Sequence, residues 1–263
     1  MLKDRDDDLP RVWWCPTGPL AFLPIHAAGL YNTDEWGTKV FDLVVSSYTP
    51  TVSALLQARP SAPNRPQIFA VAQATLHSEA TLPATKLEID LIRHRASTNG
   101  FELLVCQDEA GTVKHVLEEM KRCNWIHLAC HGIQDLDHPT KSAFVLADGN
   151  LEIAEIIKHI PPHPEFAFLS ACQTAAGDAK LSEEAVHLAA GMLLAGYRSV
   201  IATMWSILDK DGPVIADAVY AELLKGGNAD CSRAAHALHH AVQGLRLAGA
   251  PFLAWLPFIH MGV

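Results

Sequence analysis

Basic residues are scarce in this chain of 263 residues: 20 Lys and Arg stand against 29 Asp and Glu, leaving a net charge of −9. A surface built for nucleic acid or an anionic membrane needs clustered Lys and Arg, so neither partner is expected. The first residues hold no apolar signal-peptide core, and no apolar run approaches the length that spans a bilayer. Together these absences predict a cytoplasmic protein. No Cys-x-x-Cys pair and no His-Glu-x-x-His occurs, so no metal is expected, although His236, His239 and His240 share one predicted helix. Neither a Gly-x-x-x-x-Gly-Lys-Ser/Thr loop nor a Gly-x-Ser-x-Gly elbow is present, which disfavours an NTPase and a serine α/β-hydrolase. No cofactor is implied. The six cysteines (Cys15, Cys106, Cys123, Cys130, Cys172, Cys231) lack paired spacing, a pattern of free thiols in a reducing compartment rather than a disulfide framework.

What the chain does have is apolar substance: 49% hydrophobic and 19% charged residues, enough for a sizeable core. The charge run Lys3-Asp4-Arg5-Asp6-Asp7-Asp8 reads as a flexible acidic leader over 1–10. With no solenoid-period repeat and no long linker, 11–263 is expected to be one domain. Arg11 to Cys15 reads as a strand, Pro16-Thr17-Gly18-Pro19 as a turn and Leu20 to Leu23 as a returning strand, an N-terminal hairpin with Trp13-Trp14 packed in it. A strand over Val40 to Tyr48 and a helix over Val52 to Ala58 follow, and Gln67 to Ala72 reads as a buried strand.

From there helices and strands alternate. Helices are expected over 84–96, 112–121 (Thr112 as N-cap), 152–159, 182–195, 211–225 and 232–245. Strands are expected over 101–106, 125–131, 143–146, 166–172, 199–205 and 254–260. Such alternation predicts βαβ units and a mainly parallel sheet.

Two of these strands stop on reactive side chains. Trp125-Ile126-His127-Leu128-Ala129-Cys130 runs into His131-Gly132, and Phe166-Ala167-Phe168-Leu169-Ser170-Ala171 runs into Cys172-Gln173-Thr174. Ligands of open α/β sheets sit beyond the carboxyl ends of the strands, and this arrangement offers a base and a nucleophile there. The thiolate is the reactive form of cysteine, and a nearby His raises its fraction or supplies the proton for a leaving amine. The peptide N–H groups of Gly132 and Cys172 are oxyanion-hole candidates. Each piece also has a plain structural role. A Cys ending a buried strand packs as a small hydrophobe, and a His at a strand end is commonly a hydrogen-bonded structural residue. On the residues alone both readings stand. Cys130 should face away from His131 into the core. Asp135, Asp178, Glu183 and Glu184, near the two edges, read as solvated loop charges in preference to a pocket selecting a basic side chain.

The segments Ile126-His127-Leu128-Ala129-Cys130-His131-Gly132 and Leu169-Ser170-Ala171-Cys172-Gln173-Thr174 together resemble the CHAT family of caspase-like cysteine peptidases, relatives of caspases and separase. The resemblance extends to Pro16-Thr17-Gly18-Pro19-Leu20, to 188–205, to Ala234-Ala235-His236-Ala237-Leu238 and to Trp255-Leu256-Pro257-Phe258-Ile259. It implies a caspase-like three-layer α/β/α sandwich with a mainly parallel central sheet and an N-terminal hairpin. It implies a cysteine endopeptidase with Cys172 as nucleophile and His131 as catalytic partner, cleaving a protein or peptide substrate in regulated, cell-death or immune-type signalling. The family often joins this domain to a regulatory tetratricopeptide repeat; this chain shows none, so such a partner would act in trans or from sequence outside it. Two rivals remain: a catalytically silent CHAT-fold interaction module, and a doubly wound small-molecule binder.

Overall fold

The computed structural model describes residues 9–56, 65–74, 81–133, 135, 137–159, 163–170 and 185–263, with 185–187 as backbone only. The chain enters through β1 (Arg11–Trp14), β2 (Val45–Tyr48), α1 (Val52–Leu56) and β3 (Ile68–Ala72). It continues through α2 (Ala84–Thr98), β4 (Leu103–Gln107), α3 (Val113–Met120) and β5 (Trp125–Ala129). The strands β6 (His131–Ile133), β7 (Ala143–Leu146) and β8 (Gly149–Glu152) come next, then α4 (Ile153–Lys158), β9 (Phe166–Leu169) and α5 (Ala185–Leu194). The rest comprises β10 (Ser199–Thr203), α6 (Gly212–Leu223), α7 (Ala234–Leu247), α8 (Phe252–Trp255) and β11 (Phe258–Gly262).

Strands β3, β5 and β9 read as unbroken apolar runs, apart from His127, because both faces of the sheet are covered. Alternate residues divide between two cores, as the two-residue period of a strand requires. Phe69, Val71, Ile126, Leu128, Ala167 and Leu169 pack with Val116 of α3, Ile153 of α4 and Met192 of α5. Ile68, Ala70, Trp125, Phe166 and Phe168 pack on the other face with Ile89 of α2, Val219 of α6 and Leu238 of α7. The architecture is thus the expected three-layer α/β/α sandwich. Thr112 caps α3 as expected, its hydroxyl accepting from the His115 N–H at 3.3 Å.

The main sheet has the order β1-β2-β11-β10-β9-β5-β3-β4. Its pairs are parallel except β10 with β11. The strands β1, β2 and β11 therefore run one way, and β10, β9, β5, β3 and β4 the other. A second sheet, β6-β7-β8, is an antiparallel meander.

The N-terminal hairpin is not formed. β1 pairs in parallel with β2, Arg11 opposite Val45 through Trp14 opposite Tyr48, and Gly18–Phe22 is a 3₁₀ turn. Pro16 and Pro19 have no N–H to give to a ladder, and Leu20, Phe22 and Leu23 are exposed, so the segment has no buried face to align. Packing still explains the tryptophans: Trp13 Nε1 donates to the Gly262 carbonyl at 2.8 Å and Trp14 Nε1 to Ser46 Oγ at 2.9 Å. Of the other boundaries, two strand starts shift the most. Val40–Asp42 is a 3₁₀ turn, held by Asp42 accepting from the Gly37 and Lys39 N–H groups. The last strand begins only at Phe258, after α8 and Pro257.

His260 ties the two strand blocks together. Its Nδ1 lies 3.3 Å from Arg11 Nη2 and 3.0 Å from Ser47 Oγ, and its Nε2 lies 2.8 Å from Ser199 Oγ. Arginine is a donor only, so Nδ1 accepts and Nε2 donates to Ser199. Burial, and then the charges of Arg11 and His236, hold the imidazole well below the ordinary histidine value. Below about pH 6.5 the unfolded chain therefore binds a proton that the folded chain refuses. Stability contributed by neutral His260 is complete above that value and is lost as pH falls toward the depressed one. The melting temperature should drop from pH 7 to pH 5, and His260→Asn should flatten that slope.

Candidate active site

The four strands β3, β5, β9 and β10 are mutual neighbours with one direction, and their registers place their carboxyl ends along one edge. Ala72 lies opposite Ala129, Leu128 opposite Leu169, and Phe168 opposite Ile201. The chain leaves β5 through Cys130 and His131, and leaves the adjacent β9 through Ser170, two residues before Cys172. Cys172, with its peptide N–H, lies outside the described residues, as do Asp178, Glu183 and Glu184.

His131 is not the last residue of β5 but the first of β6, opposite Val145. Cys130 is the break: it packs in the core beside Leu128, as expected, and the next residue starts a different sheet. The imidazole is 3% exposed and partnered. Gly132 follows opposite Phe144, where the meander of β6, β7 and β8 begins. A His held at the junction of two sheets is fixed by ladders on both sides of it, whereas a His on a loop is not. Asp135 is used by its own loop: Oδ1 accepts from the His138 N–H at 2.7 Å, which lowers its pKa.

The floor of this edge is polar in a way the sequence reading missed. Glu88 of α2 and His127 of β5 are fully enclosed, with Oε1 and Nε2 3.0 Å apart. That contact is close enough for an ion pair but is not aligned as a hydrogen bond. His127 stacks on Phe168, ring centroids 4.8 Å apart. Ser170 donates to Glu88 Oε2 at 3.0 Å. At the neighbouring exit, Gln73 donates to the carbonyls of Asp108 and Gly111, and Asp108 Oδ1 accepts from the Ala74 N–H at 3.0 Å. Burial raises the pKa of Asp211, which precedes α6. The signal for Glu88 was present: Thr85, Glu88, Ile89, Ile92 and Ala96 share a helical face, so the carboxylate points inward while Leu87 is 55% exposed. His127 was equally visible as a lone polar residue in an apolar strand.

Among the described residues no three His, Cys, Asp or Glu side chains gather to hold a metal ion. Of the three histidines of α7, His240 has its Nδ1 2.9 Å from Glu222 Oε2, and its ring meets that of His239 edge-on with centroids 6.0 Å apart. No described helix is long and apolar enough to cross a membrane.

A family model described as the CHAT domain matches residues 2–263. The chain belongs to the CHAT domain family. Among solved structures, this CHAT chain is similar to the Arg specific cysteine proteinase gingipain R, RgpB. The TM-score is 0.57 at 13% identity, and the alignment covers 99% of this chain and 64% of gingipain. It is also similar to the complex of Porphyromonas gingivalis RgpB pro- and mature domains, with a TM-score of 0.54, 12% identity and coverage of 99% and 66%. The Saccharomyces cerevisiae separase–securin complex gives a TM-score of 0.54 at 15% identity, covering 84% of this chain and 14% of that one. At such identities the likeness is one of fold, and the fold is caspase-like. The CHAT chain spans just under two thirds of the gingipain chains and a small part of the separase chain. No curated protein sequence matches it.

Proposed function

We propose that this CHAT chain is a cysteine endopeptidase in which Cys172 is the nucleophile and His131 its catalytic partner. The observation that carries the reading is the shared exit of β5 and β9: adjacent parallel strands in register release His131 and the segment to Cys172 at the same sheet edge. That edge is where a doubly covered sheet presents chemistry.

In the proposed reaction the Cys172 thiolate attacks the scissile carbonyl carbon, and the oxygen takes the negative charge beside the Gly132 and Cys172 N–H groups. The C–N bond then breaks, His131 protonates the departing amine, and a thioester remains. Water hydrolyses that thioester, releasing the carboxylate product and the thiol. The substrate is a protein or peptide. The family assignment and the separase and gingipain folds support the peptidase fold of this reading; regulated proteolysis of the signalling kind, in the cytoplasm and under a repeat-domain partner, is part of the proposal.

Competitive alkylation tests the nucleophile directly. Of the described cysteines, Cys15 is exposed, while Cys106, Cys123, Cys130 and Cys231 are buried. Burial raises the thiol of Cys106, and pushes Cys123 up to about 11 and Cys231 up to about 12. At pH 7 those thiols are protonated and inaccessible. Iodoacetamide in limiting amount, read by mass spectrometry, should therefore label Cys172 ahead of Cys15. Labelling of Cys15 first would favour the silent interaction module.

A further inference from the structure

The pair Glu88–His127 is costly in itself. Taking a carboxylate and an imidazole out of water carries a desolvation cost that their attraction often fails to recover, and an apolar pair of similar volume commonly packs at least as well. The surroundings make the environment dry: Phe168 stacks on His127, and the Tyr220 ring lies 5.7 Å from it. Burial and the nearby Glu88 raise the Tyr220 pKa. What the buried carboxylate does with its second oxygen is specific. Glu88 Oε2 accepts from Ser170 Oγ, and Ser170 is the residue by which the chain leaves β9.

Gly212 at the start of α6 supplies a second, independent sign that this contact is built in. A Cβ there would lie 2.8 Å from Ser170 Oγ and 3.0 Å from Glu88 Oε2. The absence of a side chain lets the helix close over the hydrogen bond. Apolar packing fixes how deep β9 sits but is non-directional. The direction in which the chain departs needs a directional contact, and the Ser170 hydroxyl is the side chain at that point which makes one.

We infer that Glu88 is a positioning residue of the peptidase site: supported by His127, it fixes Ser170 and so the heading of the chain toward Cys172. The inference rests on the reading of Cys172 as the nucleophile. Glu88 is enclosed and touches no substrate, so its effect passes through Ser170.

Four variants of the whole chain test it: Ser170→Ala, Gly212→Ala, Glu88→Gln and Glu88→Ala. They are assayed for cleavage of a peptide library hit, for the iodoacetamide rate at Cys172 relative to Cys15, and for amide exchange over 166–170. Ser170→Ala and Gly212→Ala should lower kcat by about ten- to a hundredfold, the scale of a displacement near 1 Å, with KM little changed. Exchange over 166–170 should rise in both. Glu88→Gln keeps an acceptor for Ser170 and should stay within about threefold of the parent, while Glu88→Ala should not. Ser170→Ala carries the test even if Glu88→Ala fails to fold. Unchanged kcat, alkylation and exchange in Ser170→Ala and Gly212→Ala would overturn the positioning role alone. A parent that cuts no peptide, with exchange still rising in Ser170→Ala, would retain the positioning and remove the peptidase reading.

Discussion

Replacing Cys172 by alanine should abolish peptide cleavage, by at least about a thousandfold in kcat, and leave the melting temperature unchanged within a degree or two. The size follows from covalent catalysis: without the sulfur no thioester forms, and the residual rate is what oxyanion donors and binding alone provide. The thermal prediction rests on different grounds. A nucleophile that must meet substrate carries little of the folding free energy, and substitutions at such accessible positions usually change stability by no more than about 0.5 kcal/mol. His131→Ala should act on the same step, yet with a different signature. It should lower kcat strongly while leaving alkylation of Cys172 closer to the parent, because protonating the leaving amine matters to amides and not to iodoacetamide. Turnover by Cys172→Ala at the parental rate would remove the nucleophile assignment.

The second large effect concerns the fold. Gly262→Ala should destabilise the chain by at least about 3 kcal/mol, seen as a lower denaturation midpoint with an unchanged slope. Two costs combine. The residue has φ +97°, a conformation a side chain strains to adopt. An added Cβ would also fall 2.1 Å from the Arg198 carbonyl oxygen, and a backbone atom does not swing aside. The Gly262 carbonyl accepts from Arg11 Nη2 at 3.1 Å and from Trp13 Nε1 at 2.8 Å, so a shift there would also loosen β1. A variant as stable as the parent would show that β11 can move as a body away from β10.

The alternating part of the fold was legible in the sequence because strand and helix periods differ so plainly there. The runs Ile68–Ala72, Trp125–Ala129 and Phe166–Leu169, apolar on both faces and separated by helices, admit little but a parallel sheet. The N-terminal region misled for a physical reason. A turn of Pro, Thr, Gly and Pro between two apolar stretches has the composition of a hairpin, but β1 finds its partner 34 residues on, Arg11 opposite Val45. Long-range pairing leaves no local mark. The same holds at His131, where the chain passes from one sheet to another across a single residue, Cys130. Glu88 was hidden differently: its position on the inward face could be counted, but its partner lies 82 residues away at Ser170.

The reversal of β11 has a practical corollary. Because Gly262 lies beside Ser199, where β10 begins, Val263 emerges on the rim of the sheet farthest from Thr203 and the exits of β5 and β9. A fluorophore, affinity handle or surface tether fixed at Val263 stands behind the molecule, leaving the opposite rim open to bulky polypeptides during assays.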